Sequence, residues 1–158
     1  MAREPVIACV GLGANLGDPV AAVKQALANL ARLPHTHLAV ASDLYRTAPY
    51  EAQGPDFINA VAVLETSLTA PDLLSALQAL EQAAGRERPW HYAPRTLDLD
   101  LLLYGDAQIA SPALTVPHPR WTQRAFVLVP LAQVAPHRVT PQHLAAVSGQ
   151  PLERLAQV

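Results

Sequence analysis

Along this chain, short apolar runs alternate with longer segments whose apolar positions recur every three or four residues. The run "PVIACV" (5–10) is closed by glycines and too short for a helix, so it reads as a buried strand. In "DPVAAVKQALANLARL", Val20, Val23, Leu27 and Leu30 fall on one helical face, with Asp18 as N-cap and Pro19 at the first helical position. That predicts a helix of about four turns. Residues 37–47 put Leu38, Val40 and Leu44 on one parity and read as a strand. "FINAVAVLET" (57–66) reads as another, with Pro49, Gly54 and Pro55 punctuating the loop between them. Thr69 and Asp72 are spaced as a capping box ahead of a second helix, whose stripe is Leu73, Leu77, Leu80 and Ala84 and whose stop is Gly85.

"RTLDLDLLLYG" (95–105) supplies the fourth strand, over about 96–104. Side chains alternate along a strand, so Leu97, Leu99, Leu101 and Leu103 are expected to face the helices. Asp98 and Asp100 then share the opposite face, roughly 6.5–7 Å apart along the chain. The order strand, helix, strand, strand, helix, strand predicts an α+β fold: a ferredoxin-like βαββαβ sandwich, its antiparallel sheet carrying the helices mainly on one face. Prolines thicken after residue 111, which suggests a loop-rich C-terminal extension with a short helix around 122–134. Residues 1–158 together are expected to form one domain.

Composition narrows the functional classes. A net charge of −2, with 15 % charged and 51 % hydrophobic residues, gives no electrostatic reason to expect nucleic acid as partner. The single cysteine, Cys9, excludes an internal disulfide and, in its apolar run, is expected in the core. Its count suits the reducing cytoplasm, and no run approaches the length of a signal or membrane segment. Small-molecule chemistry in a cytoplasmic monomer, without membrane or nucleic acid, is therefore the expectation. "GLGANLG" (11–17) invites a dinucleotide-binding reading, but Gly17 comes one position late and no acidic residue follows at the required distance. It is read instead as a tight strand-to-helix turn, with unusual backbone angles at Gly11, Gly13 and Gly17, placed where it can line a pocket.

The carboxylate pair is the strongest chemical signal. Two like charges on one sheet face remain solvated only if that face opens into a cleft, and hard oxygens at i and i+2 suit one or two Mg²⁺ ions. The bland alternative is a wet sheet face paired with arginine. Arg86, Arg88, Arg95, His118, Arg120 and Arg124 surround the pair in sequence, and together they suit a polyphosphate. His35, His37, His137 and His143 lack metal-ligand spacing and read as surface or local structural residues.

At these residues the chain resembles a known family. "APRTLDLDLLLYG" (93–105) with "VPHPRWTQRAFVLVPLAQVAP" (116–136) is similar to the 6-hydroxymethyl-7,8-dihydropterin pyrophosphokinases of the folate pathway. The likeness continues through "GLGANLGD" (11–18), "YRTAP" (45–49), "PDFINA" (55–60) and "LEQAAGRER" (80–88). It implies a ferredoxin-like core and transfer of the β,γ-diphosphate of ATP to the pterin hydroxymethyl group, leaving AMP. By resemblance Asp98 and Asp100 hold two Mg²⁺ ions, and Arg86 and Arg95 join them as catalytic residues on a stretch that closes over the phosphates. Glu81, Arg86, Arg88, Arg95, His118 and Arg124 are implied at ATP. Thr47, Pro49, Tyr50, Phe57, Asn59 and Phe126 are implied at the pterin, with the two phenylalanines stacking on it and Asn59 bonding its edge. No general base stands out, Asp100 being only a candidate. Tyr50, Ala93 and "PWHY" depart from the common pattern, so Trp90, His91 and Tyr92 receive no role. Two other readings stay open at this point: a different Mg²⁺-dependent nucleotidyl transferase, which would leave pyrophosphate, and a non-catalytic ACT-like ligand-binding module.

Overall fold

The computed structural model describes residues 3–48, 54–84 and 97–155. Its elements run β1 (Val6–Ala14), α1 (Pro19–Leu30), β2 (Thr36–Ala41), β3 (Tyr45–Thr47), β4 (Phe57–Thr66), α2 (Ala70–Ala84) and β5 (Asp98–Tyr104). A small β6 (Ile109–Ala110) and β7 (Thr115–Val116) hairpin follows, then α3 (Ala125–Val134), α4 (Pro141–Ala146) and β8 (Glu153–Arg154). The main sheet is ordered β5-β1-β4-β3-β8, with β2 pairing on β4, and its recorded pairings are antiparallel. This is the split βαβ arrangement, with the predicted second strand divided into β2 and β3. Ser42 spans the division: its amide donates to the Val61 carbonyl and its hydroxyl accepts from the Val61 amide, so β4 keeps its partner across the break.

The helix signals act as their chemistry requires. The Asp18 carboxylate accepts from the Ala21 amide at 3.1 Å, and the Thr69 hydroxyl accepts from the Asp72 amide at 3.1 Å. Val23, Leu30, Leu73 and Leu77 are completely buried against Ala8, Val10 and Leu12 of β1, Ala60, Ala62 and Leu64 of β4, and Leu99 and Leu101 of β5. Each such leucine contributes roughly 1.5–3 kcal/mol relative to exposure. Ala84, at the end of the α2 stripe, is exposed.

The opposite face is more built than "loop-rich extension" suggests. Within the predicted 122–134 stretch, a 3₁₀ turn (Trp121–Gln123) leads into α3. Val127 and Leu131 of α3 pack on Cys9, Val61, Val63, Leu102 and Leu103. β4 is buried along almost its whole length because both of its faces are covered. Among the described residues, α3 packs over one part of this face, and a cleft opens at its N-terminal end.

Two bulges correct the simple parity reading. Cys9 pairs with Leu103 and Val10 with Leu101, so Leu102 is an extra residue in β5. Leu102 and Leu103 consequently share the α3 face, whereas Leu97, Leu99 and Leu101 face the helices as expected. A second shift, at Ala39 in β2, leaves Val40 exposed although Leu38 packs inward. The "GLGANLG" expectation also changes: Gly11 and Gly13 lie inside β1, and of the three glycines only Gly17 has a positive φ, 63°.

Candidate active site

β1 runs between β4 and β5, and its register decides what meets on the α3 side of the sheet. Gly13 lies opposite Asn59 of β4 on one side and Asp98 of β5 on the other, while Gly11 lies opposite Val61 and Asp100. Directly opposed residues in an antiparallel pair share a face. Two glycines at i and i+2 therefore leave a strip of bare backbone between the aspartates and Asn59. A side chain would fill it, since a Cβ on Gly13 would sit 3.1 Å from Asn59 Oδ1 and one on Gly11 3.4 Å from Leu102 Cδ1.

Over this strip opens a cleft of about 1010 Å³ whose walls include Asp98, Asp100, Phe57, Asn59, Thr47, Arg124 and Phe126. Most of the described residues singled out from the sequence thus meet in one cavity. Asp100 is exposed and Asp98 half-buried, as carboxylates in an open cleft should be. Asn59 is 5 % exposed, and its amide nitrogen donates to the Thr47 hydroxyl at 2.8 Å. That bond points its carbonyl oxygen over Gly13. Phe57 begins β4 and is half-buried at the cleft wall.

α3 delivers its first turn to the same cavity. Arg124 is the extended residue at its N-cap, with φ −127° and ψ 118°, and its guanidinium carbon lies 5.4 Å from the centre of the Phe126 ring. The bulge at Leu102 helps to place what precedes it. Its carbonyl, left out of the β1 ladder, accepts from the His118 amide at 2.9 Å and ties the Pro-His-Pro segment to the strand that carries the aspartates.

His118 lies beside the cleft and not on its wall. Burial pushes its imidazole below the ordinary range; Asp100 opposes this, while Arg124 and Arg120 act in the same direction as burial. The ring is therefore neutral at pH 7. Its Nδ1 accepts from the Arg120 amide at 3.1 Å, which places the ring proton on Nε2 as a donor.

Glu81 does not line the cleft either. Its carboxylate accepts from the Leu99 amide at 2.9 Å, so α2 grips β5 at the residue between the two aspartates. Arg86, Arg88, Arg95, Pro49 and Tyr50, together with Gly85, Trp90, His91, Tyr92 and Ala93, lie outside the described residues.

Arg120, read from the sequence as part of the basic cluster, is on the wall, and Gly11 and Gly13 line the pocket as expected but as strand floor and not as a turn; Gln123 and the C-terminal Gly149, Gln150 and Pro151 were missed. The glycine signal was present, since alternation at 11 and 13 is strand periodicity; Gln150 carries no local signal. Among the described residues, no cluster of three or more His, Cys, Asp or Glu side chains converges as a self-contained metal site. Two carboxylates suit a cation whose remaining ligands come from phosphate and water, as Mg²⁺ commonly has. No helix among the described residues is long and apolar enough to cross a membrane.

The chain is similar to known proteins over most of its length. The family model described as 7,8-dihydro-6-hydroxymethylpterin-pyrophosphokinase (HPPK) matches residues 9–136. A Pseudomonas aeruginosa protein named 2-amino-4-hydroxy-6-hydroxymethyldihydropteridine pyrophosphokinase is 46 % identical over 153 residues, covering 92 % of this chain and 94 % of its own. A Synechocystis relative of the same name is 44 % identical over 135 residues, 85 % of this chain and 69 % of its own. Among solved structures, a Plasmodium falciparum HPPK-DHPS crystal structure superposes with a TM-score of 0.68 at 16 % identity, covering 85 % of this chain. This chain spans 42 % of that longer one, and at such identity the likeness concerns the fold. By the extent of the family match and the identity to whole-length relatives, the chain belongs to the 7,8-dihydro-6-hydroxymethylpterin-pyrophosphokinase family.

Proposed function

We propose that this cleft transfers the β,γ-diphosphate of ATP to the hydroxymethyl oxygen of 6-hydroxymethyl-7,8-dihydropterin, releasing AMP and the pterin diphosphate. The observation that carries the reading is the common cavity of Asp98 and Asp100 with Phe57, Asn59, Phe126 and Arg124. It puts an anionic pair, aromatic faces, an amide edge and a cation within reach of two small molecules that must meet. The names of the whole-length relatives support the same activity.

In this reading Asp98 and Asp100 would hold two Mg²⁺ ions. When bound, Mg²⁺ neutralises phosphate charge and lowers the pKa of a coordinated hydroxyl. The chain's own groups do the positioning. Phe57 and Phe126 offer faces to the flat pterin, and Asn59, its amide fixed by Thr47, offers an edge acceptor over the bare Gly13 backbone. Arg124 and the Nε2–H of His118 meet the triphosphate from the α3 side, where charge-assisted bonds are strongest. The hydroxymethyl oxygen forms a bond to the β-phosphorus as the bond from that phosphorus to the α,β-bridging oxygen breaks, and the bridging oxygen leaves on AMP. Asp100 is the candidate to receive the hydroxyl proton. Glu81 steadies β5 through the Leu99 amide, so its contribution is to the placement of both aspartates. Arg86, Arg88 and Arg95 at the phosphates, and Pro49 and Tyr50 at the pterin rim, are proposed from the resemblance alone.

Asp98→Asn and Asp100→Asn test this directly. Each should lower pterin-dependent AMP formation by about a thousandfold or more, an increase of roughly 4 kcal/mol in the barrier. In Asp100→Asn the thermal transition should hold or rise, because one of two like charges is gone. Turnover at wild-type rate in either variant would contradict the reading.

A further inference from the structure

The C-terminal segment 137–155 lies beyond the region matched by the family model, yet it returns to the cleft and contributes Gly149, Gln150 and Pro151 to its wall. Gln150 makes two bonds there that bracket Arg124. Its Oε1 accepts from the Ala125 amide at 2.8 Å, and its Nε2 donates to the Gln123 carbonyl at 2.9 Å. α3 needs such a partner. Arg124 occupies the N-cap and makes no side-chain capping bond, so the first helical amide would otherwise lack an acceptor within its own turn.

The segment is held on both sides of this contact. Val147, 3 % exposed, packs with Ala125 and Leu128 of α3, and its carbonyl accepts from the Gln150 amide at 3.0 Å. Beyond Pro151, β8 pairs with β3 through Arg154 opposite Tyr45 and Glu153 opposite Arg46, and Arg154 forms an ion pair with Asp43. An anchored backbone thus presents a flat amide across the turn 123–125. With the Gln123 carbonyl and the Ala125 amide both tied, the two peptide planes flanking Arg124 have little freedom to rotate. The direction of the Arg124 guanidinium and the approach of the Phe126 ring follow from those planes.

We propose that Gln150 is a positioning residue for the substrate cleft: it acts as a cap supplied from 25 residues downstream and fixes the Arg124–Phe126 turn that spans the two substrate sites. The proposal rests on the roles given above to Arg124 and Phe126. Gln150 is exposed and stands outside the apolar clusters, whereas Val147 packs in one of them and Arg154 pairs β8 with β3. Its effect is therefore on binding geometry more than on folding.

The test compares Gln150→Met, which keeps length without either hydrogen bond, with Phe126→Ala and the parent chain. Affinity for 6-hydroxymethyl-7,8-dihydropterin is measured with Mg²⁺ and a non-hydrolysable ATP analogue, beside the thermal midpoint and the separate kcat and KM of AMP formation. Gln150→Met should weaken pterin affinity about tenfold and raise the pterin KM more than it lowers kcat, with the thermal midpoint moved by only a few degrees. Gln150→Met binding pterin like the parent, while Phe126→Ala binds it weakly, would overturn the role of Gln150 and leave the site reading intact. A fallen midpoint with unchanged affinity would also overturn it, by showing a purely structural bond. Phe126→Ala binding like the parent would instead sink the reading on which the proposal stands.

Discussion

Gly13 is the position where one methyl group should separate function from stability. Its backbone is outside the positive-φ region, so alanine can adopt it without strain. Removing a glycine also lowers the freedom of the unfolded chain, which favours the fold by roughly 0.4–1 kcal/mol. Against this, the new Cβ would stand 3.1 Å from Asn59 Oδ1 and 4.0 Å from the Ile58 carbonyl oxygen. Carbon–oxygen contacts across strands ordinarily begin at about 3.3 Å, so the amide must retreat by a few tenths of an ångström. Asn59 is 5 % exposed and tied to Thr47 at 2.8 Å, so it has nowhere to retreat without loosening that bond. Overpacking of this kind costs about 1–3 kcal/mol, and the two opposing effects leave a net destabilisation between zero and about 2.6 kcal/mol. Function should suffer more, since a displaced edge acceptor forfeits about 1–3 kcal/mol of pterin binding, or about five- to two-hundredfold in affinity. Calorimetric titration with the pterin, beside thermal unfolding of the same samples, measures both. In an Asn59→Ala background the same Gly13→Ala change should cost little further affinity, giving a coupling of about 0.5–3 kcal/mol. Undiminished pterin affinity in the single variant, or additive effects in the double one, would refute the claim that the bare backbone at Gly13 places Asn59.

Two further outcomes follow from other parts of the molecule. Gln133 Oε1 accepts from the Asp43 amide at 3.0 Å and the Tyr45 hydroxyl at 2.8 Å, while its Nε2 donates to Asp43 Oδ2 at 3.1 Å. Gln133→Ala should therefore destabilise the fold by about 1–3 kcal/mol in urea unfolding, and an unchanged midpoint would show that water replaces the network without loss. Burial raises the Cys9 thiol from 9.0 to about 11, with Arg138 opposing. The folded value lies above the unfolded one, so this stabilisation is complete below pH 9 and is lost as pH rises through about 11. Cys9→Ala should show a shallower alkaline decline in thermal midpoint than the parent, and thiol reagents at pH 8 should label the parent only at its unfolding rate. Rapid labelling of the folded chain would contradict the burial.

Much of this was legible because local and tertiary preferences coincide. Asp18–Pro19 and Thr69 start helices where the apolar stripes begin, and the alternation of Asp98 and Asp100 with leucines assigns the two faces of β5 without further information. What was lost turned on features that periodicity cannot express. The bulges at Leu102 and Ala39 each insert one residue, and every side chain beyond them changes face. At Leu102 that irregularity also frees a carbonyl for His118, so it helps to shape the site. The glycines of "GLGANLG" suggested turn angles, whereas Gly11 and Gly13 are extended and matter for the side chains they lack. Gln150 was invisible for a different reason: its partners are backbone groups 25 and 27 residues away, and backbone leaves no mark in sequence.

The fate of the phosphates of ATP decides the central claim. Incubation with the reduced pterin, Mg²⁺ and ATP labelled at the β and γ positions, with products separated, follows the transferred group itself. Both labels should arrive together and in equal amount in the pterin product, with one AMP formed per pterin consumed. Transfer of the γ label alone with ADP as co-product, or release of both labels as free pyrophosphate with the adenylyl group retained on another product, would contradict it.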